Sequence, residues 1–226
     1  MPNRNRRFFR LLLLALAAAC ARPPSGPNTA DVDVAPDAVA ESLLVDVRDI
    51  DSTIRVVARY AGDSNFTGAQ LPGYEANRAL LRREPAAALA RVQARLREQD
   101  LGLLIYDAYR PRRATLAMVA WTERAGRTDL LDDGYIARRS RHNMGVAVDL
   151  TLIFLPTGQV LEMGTEFDTF SPAAHTANAE GEIHRNRQTL VQAMEAEGFE
   201  NYAQEWWHFS YPLAGAVAFD MVIDRR

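Results

Sequence analysis

Ser140-Arg141-His142-Asn143-Met144-Gly145-Val146-Ala147-Val148-Asp149-Leu150-Thr151-Leu152-Ile153-Phe154 reads as a polar turn running into a strand that begins at Val146. Successive side chains on a strand point to opposite faces. Ala147, Asp149 and Thr151 therefore share one face, and Val146, Val148 and Leu150 share the other. The branched residues suit a core, while the small ones flank Asp149 and leave room for a ligand or a metal. His142 and Asp149 lie seven positions apart, so an uninterrupted strand would turn them away from each other. Gly145 stands between them and supplies the turn or bulge that resets the phase.

A second segment, Glu205-Trp206-Trp207-His208, answers the first. The chain has four histidines, and two of them fall in these two segments. Two neutral imidazoles and one carboxylate, His142, His208 and Asp149, make a three-ligand zinc site with an open fourth position, the form catalytic zinc takes. Glu205 is left over as a general base. Glu205 and His208 are three apart, which calls for a turn or bulge around Trp206. Beyond it Trp207, Phe209 and Tyr211 alternate with His208 and Ser210, and such an aromatic face is read as core packing. His175 and His184 lie in the polar stretch 171–185, read as a loop, and are read as surface residues.

The N-terminus has the pattern of an exported protein. Arg4, Arg6, Arg7 and Arg10 precede the apolar run Leu11–Ala19, too short to span a bilayer. It ends at Cys20, the only cysteine of the chain. Residues 1–19 are read as a signal peptide, and Cys20 as a lipidation site that anchors the protein to the membrane facing the periplasm. Residues 20–42, with Pro23, Pro24, Gly26, Pro27 and Pro36, are read as a lipid-anchored, unfolded tether, and residues 43–226 as one folded domain. With a single cysteine the domain has no disulfide and must rest on an apolar core. All 26 basic residues are arginine, against 29 acidic ones. No basic tract is present, and no nucleic-acid partner is expected.

Within the domain, residues 51–60 read as a strand and 63–68 as a loop. Residues 85–99 read as a helix, with Leu89, Val92 and Leu96 at helical spacing and Pro85 in the first turn. A buried strand over 102–106 follows, then a helix over 111–125. A third helix is expected over 186–197, stopped by Gly198. Helices and strands alternate without a βαβ period, so the fold class is α+β: an antiparallel sheet with flanking helices and the zinc site on the sheet.

These motifs resemble the M15 family of zinc peptidases, and within it the D-alanyl-D-alanine dipeptidases of the VanX type. The family pattern S-x-H-x-x-G-x-A-x-D is matched by Ser140, His142, Gly145, Ala147 and Asp149, and E-x-W-H by Glu205, Trp207 and His208. Asn65-Phe66-Thr67-Gly68, Tyr106-Asp107-Ala108-Tyr109-Arg110-Pro111 and Met163-Gly164-Thr165-Glu166-Phe167-Asp168 resemble the dipeptidase branch. Glu166 stands where the family often has proline. The resemblance spans roughly residues 43–215 and implies the M15, Hedgehog-like peptidase fold.

The resemblance implies one Zn2+ per chain on His142, Asp149 and His208, with Glu205 as catalytic base and Arg110 stabilising the developing oxyanion. Taken without the family, Arg110 reads as a surface arginine before a proline turn. Asp168 and Tyr60 match positions that receive the substrate ammonium, and Ser140, Tyr74 and Tyr135 match positions near its carboxylate. The implied activity is hydrolysis of D-Ala-D-Ala in cell-wall peptide turnover. Two alternatives share some of these features: a zinc D,D-carboxypeptidase trimming peptidoglycan stem peptides, and a catalytically silent lipoprotein that binds cell-wall peptide.

Overall fold

The computed structural model describes residues 34–225, so the leader, Cys20 and most of the tether lie outside the described residues. The first elements are β1 (Val34–Ala35), α1 (Asp37–Leu43), β2 (Leu44–Asp46), α2 (Val47–Ile50) and β3 (Arg55–Val56). Next come β4 (Leu80–Arg82), α3 (Arg83–Arg97), β5 (Leu101–Asp107), α4 (Arg112–Arg124) and α5 (Asp129–Asp132). The last are β6 (Ala147–Phe154), β7 (Gln159–Val160), α6 (Gly181–Glu195), β8 (Glu200–Asn201), β9 (His208–Ser210) and β10 (Ala218–Phe219). Among the described residues no helix is long and apolar enough to cross a membrane.

The principal sheet has the order β3-β5-β6-β9-β8, with β7 pairing on β6. All its pairs are antiparallel except β3 with β5. One face follows from the alternation in β6. Val148, Leu150 and Leu152 join Leu103 and Ile105 of β5, and α3 and α6 cover them with Leu89, Val92, Leu96, Leu190 and Met194. Phe209 and Trp207 belong to the same core, as their alternation implied. A second apolar cluster on the chain of Tyr60, Tyr74, Tyr109, Met118 and Leu130 lies with α4 and α5.

Several boundaries differ from the sequence reading, for physical reasons. Residues 34–42 are not tether: β1 pairs with β10, and Ala40 of α1 is completely buried. The strand expected over 51–60 is only two residues long. After Val56 the chain makes a 3-10 turn, Arg59–Ala61, which carries Tyr60 inward until its ring packs edge-on against Tyr74 at 5.8 Å. The stretch 171–185 is not a free loop either. It holds a 3-10 turn at Pro172–Ala174, and α6 begins at Gly181. Arg187 explains this. Its guanidinium is buried and donates to the carbonyls of Met163, Ala173 and His175 at 2.8, 3.0 and 2.7 Å, fastening the segment to the helix.

Gly145 is the phase break, in the form of a turn. It closes the 3-10 turn Arg141–Met144 in the left-handed region, with φ of 66°. A β-carbon there would collide with Leu44 Cδ2. Gly145→Ala is expected to cost about 2 kcal/mol, from left-handed backbone strain plus overpacking. A melting curve that does not move would show that β2 yields freely.

A candidate metal centre and its cavity

Cross-strand register assembles the site. Asp149 on β6 is paired with Asp107 on β5 and with His208 on β9. The β5–β6 ladder shifts register between Ile105 and Asp107. Paired residues share a face, so this bulge swings Asp107 onto the face of Asp149 instead of the core face of Ile105. His142 arrives from the turn before β6, held by its backbone N–H donating to Ser140 Oγ at 3.2 Å. Glu205 and His208 are brought together by a turn in which His208 N–H donates to Glu205 O at 3.2 Å.

The three candidate ligand atoms converge. His208 Nδ1 lies 2.9 Å and His142 Nε2 3.3 Å from Asp149 Oδ1, and the two ring nitrogens are 3.1 Å apart. His142 Nδ1 is 2.6 Å from the carbonyl of Ala108, which can only accept, so the proton sits on Nδ1 and Nε2 presents a lone pair. Ser210 Oγ, 3.4 Å from His208 Nε2, can accept a hydrogen bond from it, which is compatible with the corresponding arrangement there. Ligand atoms at these separations fit a tetrahedral cation, whose ligand–ligand edges are about 3.3 Å for zinc bonds of about 2.0 Å. Burial opposes the Asp149 charge, but His142 and His208 outweigh it and hold the carboxyl below its ordinary range. Burial also lowers the pKa of His208 against the pull of Asp149, which favours the neutral, ligating imidazole. His142, Asp149 and His208 can therefore bind a metal ion.

Glu205 stands beside this trio without joining it, its Oε2 3.9 Å from His208 Nδ1. Burial raises its pKa well above the carboxylate norm. Asp149 and Asp168 add to the shift, and Arg110 opposes it. A carboxyl of raised pKa facing a cavity is suited to exchange protons near neutrality.

Arg110 is no surface residue. Its Nε and Nη2 donate to Asp107 Oδ2 at 3.0 and 2.9 Å, and Nη2 is 3.8 Å from Asp149 Oδ2. Its backbone N–H donates to His142 O and its carbonyl accepts from Asn143 Nδ2, so turn and guanidinium are fixed together. Asp107, a residue the sequence reading did not single out, also accepts from Tyr74 Oη at 2.6 Å and lies 3.4 Å from His142 Nδ1. The signals for it were its place in the segment Tyr106–Pro111 and its spacing of three from Arg110 at the end of an apolar strand.

Arg110, Asp149, Glu205 and His208 line a cavity of about 260 Å³, below the ~300–1,000 Å³ typical of sites for drug-sized ligands, and Asp107 and His142 lie behind its wall. Asp168 is on its wall, with φ of 62°, and accepts from Tyr60 Oη at 3.0 and 3.1 Å. Burial raises the Asp168 pKa, and the charge of Asp149 adds to it. Ser140 and Tyr135 are also on the wall, as are the unanticipated Tyr202 and Phe170. Tyr74 is not among the lining residues: it is buried and donates to Asp107. His175 is half-buried, its Nε2 3.0 Å from Tyr135 Oη, and so is corrected from a surface residue. His184 is exposed, as expected.

Comparison with known proteins gives one consistent picture. A profile of the peptidase M15 family, described as D-Ala-D-Ala dipeptidase, matches residues 40–224. The D-alanyl-D-alanine dipeptidase of Streptomyces coelicolor is 38% identical over 182 residues, covering 73% of this chain and 89% of its own. That of Enterococcus faecium is 37% identical, covering 69% and 85%, and that of Escherichia coli 33% identical, covering 76% and 86%.

Proposed function

The chain belongs to the M15 peptidase family of D-Ala-D-Ala dipeptidases, and on that premise we propose that it hydrolyses D-Ala-D-Ala to two D-alanines using one zinc ion held by His142, Asp149 and His208. The observation that carries this reading is the small cavity whose wall brings Glu205, Arg110, Asp149 and His208 together with a further acid, Asp168, while His142 stands behind it at 3.3 Å from Asp149. When bound, zinc supplies Lewis acidity to the scissile carbonyl and to water. Glu205 Oε2 takes a proton from the attacking water and delivers it to the departing amine nitrogen. Arg110, fixed by Asp107, donates to the carbonyl oxygen as negative charge grows on it. Asp168, oriented by Tyr60, receives the substrate ammonium, while Ser140 and Tyr135 lie on the wall available to the other end.

The same arrangement separates the dipeptidase from a carboxypeptidase acting on stem peptides. An acylated N-terminus would leave Asp168 facing an uncharged amide in place of an ammonium, a mismatch of about 1–3 kcal/mol or more. The test is to incubate zinc-loaded protein with D-Ala-D-Ala and with an N-acetylated D-Ala-D-Ala. Faster cleavage of the acetylated compound would replace the dipeptidase by the carboxypeptidase.

The raised pKa values set a pH dependence. Glu205 must be ionised to act as base and Asp168 to bind the ammonium, and burial shifts both upward. Both charged forms are therefore lost early as pH falls. The acid limb of log kcat/KM is expected to be steeper than one proton, and Asp168→Asn is expected to reduce it to one. A wild-type limb of slope one would remove one of the two groups from the rate law.

From the leader sequence we further propose export, with a lipid on Cys20 holding the enzyme at the membrane, facing the periplasm, where it acts on dipeptide released from the wall. Cys20→Ala is expected to move the protein into the soluble exported fraction; unchanged membrane association would refute the anchor.

A further inference from the structure

Three guanidinium groups line the cavity: Arg110, Arg139 and Arg141. Two are occupied by the protein itself. Arg110 is paired with Asp107, and Arg141 Nη2 donates to Tyr211 O at 2.7 Å. Arg139 is exposed and makes no hydrogen bond or ion pair with any described residue.

Its backbone, by contrast, is held on both sides. The carbonyl of Arg138 accepts from Arg112 Nη1 at 2.9 Å, and Ser140 Oγ accepts the His142 N–H at 3.2 Å. A free cation is thus presented from a pinned segment that leads directly into the metal-binding turn. Its presence has a cost, because Arg112 is buried nearby. Burial lowers the Arg112 pKa, and the like charge of Arg139 lowers it further.

The cavity wall also carries three carboxyl groups, Asp149, Asp168 and Glu205. Asp168 suits an ammonium, but a zwitterionic dipeptide also brings a carboxylate, which this wall would repel. Ser140 and Tyr135 offer that carboxylate hydroxyls without charge. Among the described residues, Arg139, next to Ser140, is the cation on the wall without a protein partner. A guanidinium meets a carboxylate with two parallel hydrogen bonds and keeps its charge at any working pH.

We propose that Arg139 is a specificity residue that receives the free C-terminal carboxylate of the dipeptide. The proposal rests on the dipeptidase reading and deepens it: the enzyme checks both charged ends of its substrate, Asp168 one and Arg139 the other. Substrates with an amidated C-terminus, or with a further residue in place of the free carboxylate, forfeit that contact.

The experiment measures kcat and KM for D-Ala-D-Ala and for its C-terminal amide, with wild type, Arg139→Met and Arg139→Lys. Wild type is expected to prefer the free acid. Arg139→Met is expected to raise KM for the acid about ten- to a hundredfold, with kcat nearly unchanged, and to leave the amide alone. Arg139→Lys is expected to recover part of the loss. Equal losses on acid and amide, or no loss on the acid, overturn the proposal while leaving the dipeptidase intact. A zinc-loaded wild type that cleaves neither compound overturns the dipeptidase reading and this one with it.

Discussion

Glu205→Gln is expected to lower kcat by about 10²–10⁴-fold while the protein keeps its full complement of zinc. The amide has the size of the carboxyl but cannot take a proton from water, so proton transfer is what the substitution removes. Zinc is retained because Glu205 lies outside the ligand set, with Oε2 3.9 Å from His208 Nδ1 where the trio's own separations are 2.9 to 3.3 Å. Asp149→Asn is the contrasting control. It touches the atom on which both histidines converge and is expected to lose metal and activity together. Elemental analysis beside a turnover assay separates the two. Substantial turnover by Glu205→Gln would take the carboxylate out of the chemistry.

The convergence of His142, Asp149 and His208 into a candidate ligand set was legible in the sequence because it depends on local spacing. Parity demanded a break between His142 and Asp149 and another near Trp206, and the structure supplies a glycine-closed turn and a tight turn at those places. The helices of the core were legible for a similar reason. Leu89, Val92 and Leu96 repeat at helical spacing, and all three are fully buried. What escaped depends on contacts between distant segments. Asp107 faces the site only because β5 slips by one residue against β6, and a slip belongs to the pair of strands, not to either sequence. Tyr60 read as the end of a strand because Ile54, Val56 and Val57 precede it, yet it reaches Asp168 through a 3-10 turn. Arg187 falls in the helix expected over 186–197, with no local pattern that marks it as buried. Its partners are carbonyls, which every residue has, so nothing in the sequence distinguished it.

Asp107→Ala is expected to destabilise the fold by about 3–5 kcal/mol, the usual consequence of leaving one partner of a buried ion pair alone. Asp107 is 2% exposed and gathers Arg110 Nε, Arg110 Nη2 and Tyr74 Oη. Without it the nearest carboxylate to Arg110 is Asp149, whose Oδ2 is already 3.8 Å from Nη2. The guanidinium would turn toward that oxygen and compete for a candidate metal ligand. Zinc affinity is therefore expected to fall about 10–100-fold as well, the size of effect seen when groups supporting a metal ligand are removed. Denaturant unfolding of the metal-free protein and a zinc titration measure the two effects independently. The double variant Asp107→Ala, Arg110→Met distinguishes charge from packing. If the damage comes from a stranded guanidinium, removing that guanidinium should restore part of both the stability and the zinc affinity. If the double variant is worse than Asp107→Ala in both assays, Asp107 acts as a packing residue, and its hold on Arg110 is incidental to the metal site.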